Sequence, residues 1–113
     1  MLRRVNALQA RVVMRASGPV VVLAGEADTT SADRLRKLLV SQMWPGQQRR
    51  LTVDVSELRF LDSSIVVVFL VAAQMLRERG GELMLLHPQD PVLRALRLLG
   101  ADGVITIAKD PTD

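Results

Sequence analysis

Three short polar clusters hold the side chains in this sequence that could do chemistry. They are Asp28, at the head of a Thr-Thr-Ser segment that reads as a helix-capping loop, Asp62-Ser63-Ser64, and His87, followed by Pro88. A serine, a histidine and an aspartate could in principle form a hydrolase triad. Such a serine needs a Gly-x-Ser-x-Gly elbow, and Leu61-Asp62-Ser63-Ser64-Ile65 puts bulky groups where those glycines belong. A triad is therefore disfavoured. An Asp-Ser pair ahead of an apolar run is also what caps a helix N-terminus, through a carboxylate that accepts from unpaired backbone N–H groups. Gly80-Gly81 lacks the lysine and the spacing of a phosphate-cradling loop and reads as a helix stop.

Composition narrows the choice. The chain has 113 residues and no cysteine, which removes disulfides, thiolate metal sites, iron–sulfur clusters and cysteine nucleophiles together. One histidine cannot build a histidine-cluster zinc site, so no metal is expected. Apolar residues make up 49% and aromatic residues only 3%, so the core must be aliphatic. Too few rings exist to stack nucleic-acid bases. The net charge of +3 is spread along the chain instead of gathered in a stripe, which disfavours direct nucleic-acid binding. The longest apolar run, Ile65 to Ala73, has nine residues, against roughly 18 needed to cross a bilayer. The first residues lack a continuous apolar segment with a cleavage site. A cytoplasmic protein without membrane insertion is expected.

Elements must position the three clusters. Gln9 to Met14 and Pro19 to Leu23 read as an antiparallel hairpin around a turn at Arg15 to Gly18. Leu35, Leu38 and Leu39 fall at helical spacing in a helix from about Ala32 to Met43, which Trp44-Pro45-Gly46 ends. Gln47 to Arg50 reads as a polar linker. Leu51 to Val55 reads as a strand and Ser56 to Leu61 as a connection. Val66-Val67-Val68 favours a strand by propensity, but the apolar run is too long for one. With an Asp-Ser-Ser start and an Arg-Glu-Arg-Gly-Gly end, Ser63 to Arg79 reads as a helix. Glu82 to Leu86 is a strand. Pro88-Gln89-Asp90-Pro91 opens a third helix, which Gly100 ends, and Val104 to Ile107 is a last strand. The prediction is one α/β domain over residues 1–113. It has a mostly parallel sheet, an N-terminal antiparallel hairpin and helices packed against the sheet. Its core covers about 11–107 and a flexible tail about 108–113. The three polar clusters then share the carboxyl edge of the strands, where sites in such sheets tend to lie.

The stretch Asp54-Val55-Ser56-Glu57-Leu58-Arg59-Phe60-Leu61-Asp62-Ser63-Ser64 resembles the signature of STAS domains, the family of bacterial anti-sigma factor antagonists. In that family a strand ends in Asp-x-Ser, an apolar pair follows, and Asp-Ser-Ser-Gly opens a helix. Gly25-Glu26-Ala27-Asp28 is similar to the family's Gly-Glu-x-Asp turn. Arg79-Gly80-Gly81-Glu82-Leu83 with His87-Pro88, and Leu96-Arg97-Leu98-Leu99-Gly100, resemble its later junctions. The family's glycine after the serine pair is Ile65 here.

The resemblance implies a regulator that does no chemistry of its own and needs no cofactor. Its partner would be an anti-sigma factor that is also a serine kinase of the histidine-kinase-like ATPase type. Ser63 would be the residue phosphorylated. Unphosphorylated protein would bind the kinase and free a sigma factor, and phosphorylated protein would let go. Unpaired N–H groups at the helix N-terminus would suit the phosphate. The partner-binding face would comprise Asp28, Asp62, Ser63 and Ser64 together with Ile65, Val67 and Val71. The last three are read from helix facing and not from the family, which usually has polar groups there. With Val66, Phe69, Leu70 and Ala73 turned to the core, they form an exposed apolar strip, unless the helix is buried more completely. An alternative keeps the fold without the switch, as a scaffold subunit of a lipid-transport ABC complex or a stress-signalling assembly. Self-association into a homodimer is left open.

Overall fold

The computed structural model describes residues 7–43 and 49–108. The elements run β1 (Gln9–Arg15), β2 (Gly18–Ala27), α1 (Thr29–Met43), β3 (Arg50–Leu61), α2 (Ser63–Glu78), β4 (Glu82–Leu86), α3 (Asp90–Leu98), a 3-10 turn (Ala101–Gly103) and β5 (Thr106–Ala108). The five strands form one sheet in the order β1-β2-β3-β4-β5. β1 pairs antiparallel with β2, and every later pair is parallel. This is the expected α/β architecture. With strands added in chain order, right-handed crossovers put all three helices on one face.

The buried residues agree with that layering. Val21, Leu23, Val53, Val55, Leu83 and Leu85 share one core with Leu35, Leu39, Val66, Phe69, Ala73, Leu76, Val92 and Leu96 of the helices. On the other face Met84, Leu86 and Ala108 form a smaller buried group. Asp54 is buried on that helix-free side, where Arg15 of β1 reaches its carboxylate at 3.0 Å and the Ser56 N–H donates at 2.9 Å. Burial works against the charged form of Asp54, but these bonds outweigh it and hold the pKa below the ordinary value.

Several boundaries differ from the sequence reading. β1 extends to Arg15, and the helix expected from Ala32 begins at Thr29, because the Thr-Thr-Ser segment is its first turn. The stop expected at Trp44-Pro45-Gly46 and most of the linker lie outside the described residues. β2 continues to Ala27, and Ser56 to Leu61 is strand, not connection. The sequence hid this because the apolar spacing is wrong for a flat strand. Val55, Leu58 and Leu61 are buried three residues apart, whereas a regular strand alternates every two. The β2–β3 register explains it: Val22 pairs with Asp54 but Ala24 with Glu57, and Gly25 with Leu58 but Glu26 with Phe60. The two extra residues on β3 are bulges, which re-aim side chains. The last strand runs Thr106–Ala108 instead of Val104–Ile107, so Ala108, assigned to the tail, pairs with Leu86. Residues 109–113 lie outside the described chain.

The α2–β4 junction fixes the spacing at the opposite edge of the sheet. Gly80 adopts φ 76°, a left-handed value that suits glycine at a helix end. Gly81 has a different reason to be glycine: a Cβ there would sit 1.8 Å from the Arg49 carbonyl oxygen, which accepts the Glu82 N–H at 2.7 Å. Gly81→Ala must therefore push backbone apart, at a cost of about 1–3 kcal/mol. For a domain of this size its melting temperature is expected to fall by about 4–8 °C per kcal/mol. Gly103→Ala, where a Cβ meets nothing within 4 Å, is the control. Equal melting of the two variants in a thermal scan would refute the close-approach account.

Candidate functional site

β2 and β3 end side by side, with the Asp62 N–H donating to the Ala27 carbonyl at 3.2 Å. Each strand leads directly into a helix, so the N-termini of α1 and α2 start next to each other. Asp62 is the N-cap of α2: its Oδ1 accepts from the Ser64 N–H at 3.0 Å and the Ile65 N–H at 3.3 Å. Its Oδ2 turns the other way and accepts from the Thr29 N–H at 3.1 Å and the Thr29 hydroxyl at 3.3 Å. One carboxylate thus caps two helices. The Ser64 hydroxyl adds a short hydrogen bond to Oδ1.

Asp28 builds the first turn of α1 beside it. Its Oδ1 accepts from the Thr30 N–H at 3.0 Å and the Thr30 hydroxyl at 2.6 Å. The Ser31 hydroxyl accepts the Asp28 N–H at 3.1 Å and donates back to the Asp28 carbonyl at 3.0 Å. Asp28 is thereby held one residue from a ligand of Asp62. Partial burial works against ionisation of Asp62. The bonds from Ser64, Ile65 and Thr29 outweigh it and keep its carboxyl below the ordinary range.

The structure brings Asp28, Asp62, Ser63 and Ser64 together and sorts their roles. Ser64 is spent on the Asp62 carboxylate. Ser63 is exposed, and no described residue hydrogen-bonds its hydroxyl. Val67 and Val71 lie four and eight residues beyond it on the same face of α2 and are 53% and 46% exposed. Ile65 does not join them. It is fully buried in the main core, which removes it from the expected strip. The reason is helical geometry: position 65 lies about 200° around the helix from position 63 and points at the sheet. Phe60, at the end of β3, is 47% exposed.

A second expectation also needs correction. The helix N-terminus was expected to offer unpaired N–H groups to a phosphate on Ser63, but the Ser64 and Ile65 N–H groups are already bonded to Asp62. Thr29 was not singled out from the sequence, although it joins α1 to Asp62. The signal was there, as a hydroxyl residue placed right after Asp28, but only the pairing of β2 with β3 brings it across. His87 leaves β4 with a left-handed φ of 57°, and its N–H bonds the Ala108 carbonyl at 2.8 Å. No described side chain bonds its ring, so Ser63 and His87 form no dyad. Among the described residues no group of three or more His, Cys, Asp or Glu could hold a metal, and no helix is long and apolar enough to cross a membrane.

Asp62 makes a quantitative expectation possible. Losing two caps costs about 1–4 kcal/mol at about 0.5–2 each, so Asp62→Ala should melt well below the parent. Because the folded carboxyl titrates below its unfolded value, its stabilisation is present above about pH 4. It is lost as pH falls through the folded value. The gap in unfolding free energy between parent and Asp62→Asn should therefore shrink on acidification below pH 4. A gap that stays constant from pH 7 to pH 2.5 in denaturant titrations would contradict the double cap.

Comparison with known proteins gives a consistent picture. A family model described as "Mlab, STAS domain" matches residues 10–107. The Anti-sigma-B factor antagonist of Bacillus subtilis is 33% identical over 89 residues, covering 78% of this chain and 79% of that protein. An anti-sigma factor antagonist from Mycobacterium paratuberculosis has a crystal structure with a TM-score of 0.83 at 20% identity, covering 99% of this chain and 94% of that one. SpoIIAA in its unphosphorylated form scores 0.76 at 22% identity, covering 92% and 91%. Its Bacillus counterpart in the phosphorylated form scores 0.64 at 22%, covering 93% and 94%. At these identities the structures speak for the fold. The family match spans nearly all of the described residues, and it takes in both bulges, the double cap and the helix that carries Ser63: the chain belongs to the STAS domain family.

Proposed function

We propose that this protein is an anti-sigma factor antagonist whose binding face is the Ser63 end of α2. Its partner is an anti-sigma factor that is also an ATP-dependent serine kinase of the histidine-kinase-like type. The observation that carries this reading is a free hydroxyl in line with two bare valines. Ser63 is exposed without a described hydrogen-bond partner, and Val67 and Val71 continue its row along the helix. Exposed apolar groups beside a polar rim are what a protein partner desolvates. The relatives named as anti-sigma factor antagonists support the same role.

In this mechanism the unphosphorylated face docks on the kinase and the sigma factor is released from it. The kinase then transfers the γ-phosphoryl group of ATP to the Ser63 Oγ. The hydroxyl proton passes to a base of the kinase and ADP leaves. The new group brings about −1.5 to −2 charge. It joins a rim already made negative by Asp28 and Asp62, and like-charge crowding at an interface can cost several kcal/mol. The domain needs no rearrangement to let go. Ile65, in place of the family's glycine, is turned into the core, so its side chain does not stand over the Ser63 hydroxyl.

The test is intact mass after incubation with ATP and a panel of purified histidine-kinase-like ATPases of the anti-sigma factor type. One phosphate is expected on the parent and none on Ser63→Ala. Val67→Lys and Val71→Lys should each weaken capture of the unphosphorylated protein by about tenfold or more, measured by calorimetry, as loss of a central apolar contact does. A stable complex that never takes up phosphate would instead identify an unswitched scaffold subunit. The exposed valines would serve that role equally well.

A further inference from the structure

We infer that β1 is a self-complementary edge through which two copies of this chain join their sheets into one of ten strands. β1 is an outer strand, paired only with β2 along the register Gln9↔Ala24 to Arg15↔Gly18. A two-residue turn, Ala16-Ser17, connects them, which makes Arg15↔Gly18 a hydrogen-bonded pair. Antiparallel alternation then makes Val13↔Val20 and Arg11↔Val22 hydrogen-bonded pairs too. Pro19, which has no N–H to give, falls opposite Met14 in a position that needs none. The backbone N–H and C=O groups of Ala10, Val12 and Met14 therefore face away from β2, toward the open edge.

These three outward-facing residues are also the apolar ones on the helix side of the strand. Val12 is 43% exposed and Met14 74%, and Ala10 is exposed as well. Placing a second copy antiparallel about a two-fold axis at Val12 matches each of them with another. Val12 meets Val12 of the second copy, Ala10 meets its Met14, and Met14 meets its Ala10. All three matches are hydrogen-bonded pairs, so every outward N–H and C=O in the row finds a partner. The six side chains make one continuous apolar stripe, next to the groove between β1 and α1 lined by Leu35 and Leu38.

Charge favours the same occupant. The charged residues of β1, Arg11 and Arg15, project to the helix-free side. There they already pair within the chain, to Glu57 at 3.5 Å and to Asp54 at 3.0 Å. Two copies can meet without bringing unpaired like charges together. Edge strands that avoid pairing commonly carry charged side chains, a proline or a bulge. β1 has no proline or bulge over Gln9–Arg15, and its two charges, Arg11 and Arg15, are drawn to Glu57 and Asp54 on the helix-free side, away from the row of Ala10, Val12 and Met14. The other edge of the sheet, β5, is only three residues long, which is itself a protective device. The two-fold arrangement uses one edge of each copy and closes, so it gives a dimer and not a fibre. It lies on a different strand from the Ser63 row and does not depend on the proposed function.

The chain contains no cysteine, so a single one can report the register. Directly opposed Cα atoms in a hydrogen-bonded antiparallel pair are about 5.5 Å apart, within disulfide range. Under mild oxidation Val12→Cys should convert mainly to a covalent dimer. Gln9→Cys, placed opposite Arg15, and Val71→Cys on α2 should convert far more slowly. Sedimentation of the unmodified protein across a concentration series should show its apparent mass doubling. Val12→Lys, which opposes two ammonium groups, should hold it at monomer mass with an unchanged circular dichroism spectrum. The proposal is overturned by a monomer at every concentration, by a dimer that Val12→Lys leaves intact, or by cross-linking equally fast at all three cysteine positions. A strand of another protein on this edge would appear as the first of these outcomes, a chain monomeric by itself.

Discussion

The Asp62 carboxylate is the point on which the carboxyl edge of the sheet turns. A single side chain accepts from the first turns of two helices that begin on neighbouring strands. That requires β2 and β3 to end at the same height and their following helices to start within a carboxylate's width. The strands are not the same length: β2 has 10 residues and β3 has 12. The two register shifts absorb the difference, so Ala27 and Leu61 finish opposite each other. The bulges, the buried Leu58 and Leu61 and the double cap are thus one construction. The ionised state of Asp62 is favoured by the same hydrogen bonds that define it.

A phosphate on Ser63, in the proposed switch, would meet an N-terminus whose dipole is already answered. The Ser64 and Ile65 N–H groups are bonded to Asp62, and the Val66 N–H closes the first helical bond on the Asp62 carbonyl at 3.2 Å. Little remains to neutralise a new anion from within. Its charge would be displayed outward, beside two carboxylates, where a partner must meet it. A helix end with empty donors would have drawn the phosphate in and muted it. In the proposed switch the double cap would leave a phosphate's charge to act outward on the partner instead of inward on the helix.

How much of this could be read from the sequence depends on whether the signal was local. The helical identity of Ser63–Glu78 was legible despite its three consecutive valines, because length and end signals outweighed β propensity. The sheet order followed from strand–helix alternation. The second half of β3 was illegible because its bulges break the period-two pattern on which strand recognition rests. The burial of Ile65 was missed for a different reason. It was grouped with Val67 and Val71 as apolar and adjacent, although a helix separates positions 65 and 67 by about 200°. Thr29 could not be assigned at all, since its partner lies 33 residues away and only the sheet register connects them.

The apolar surface that remains after folding is not scattered. Among the described residues the large exposed apolar side chains are Val12 and Met14 on β1, Phe60, Val67 and Val71 around the start of α2, and Leu98 and Leu99 at the end of α3. Single exposed apolar residues need no explanation, but pairs repeated at the period of their element do. Val12 and Met14 are two apart on a strand, and Val67 and Val71 four apart on a helix, so each pair forms one row on one side. A core of aliphatic residues with Phe69 at its centre accounts for the rest of the apolar chain, with no buried side-chain polar atom left unpartnered among the described residues. Folding therefore does not use these rows. They are left in water by a sequence that had polar residues available on the same elements, at Arg11 on β1 and at Gln74 on α2. The two proposed complexes would each cover one row, and because the rows lie on different elements, one complex need not exclude the other.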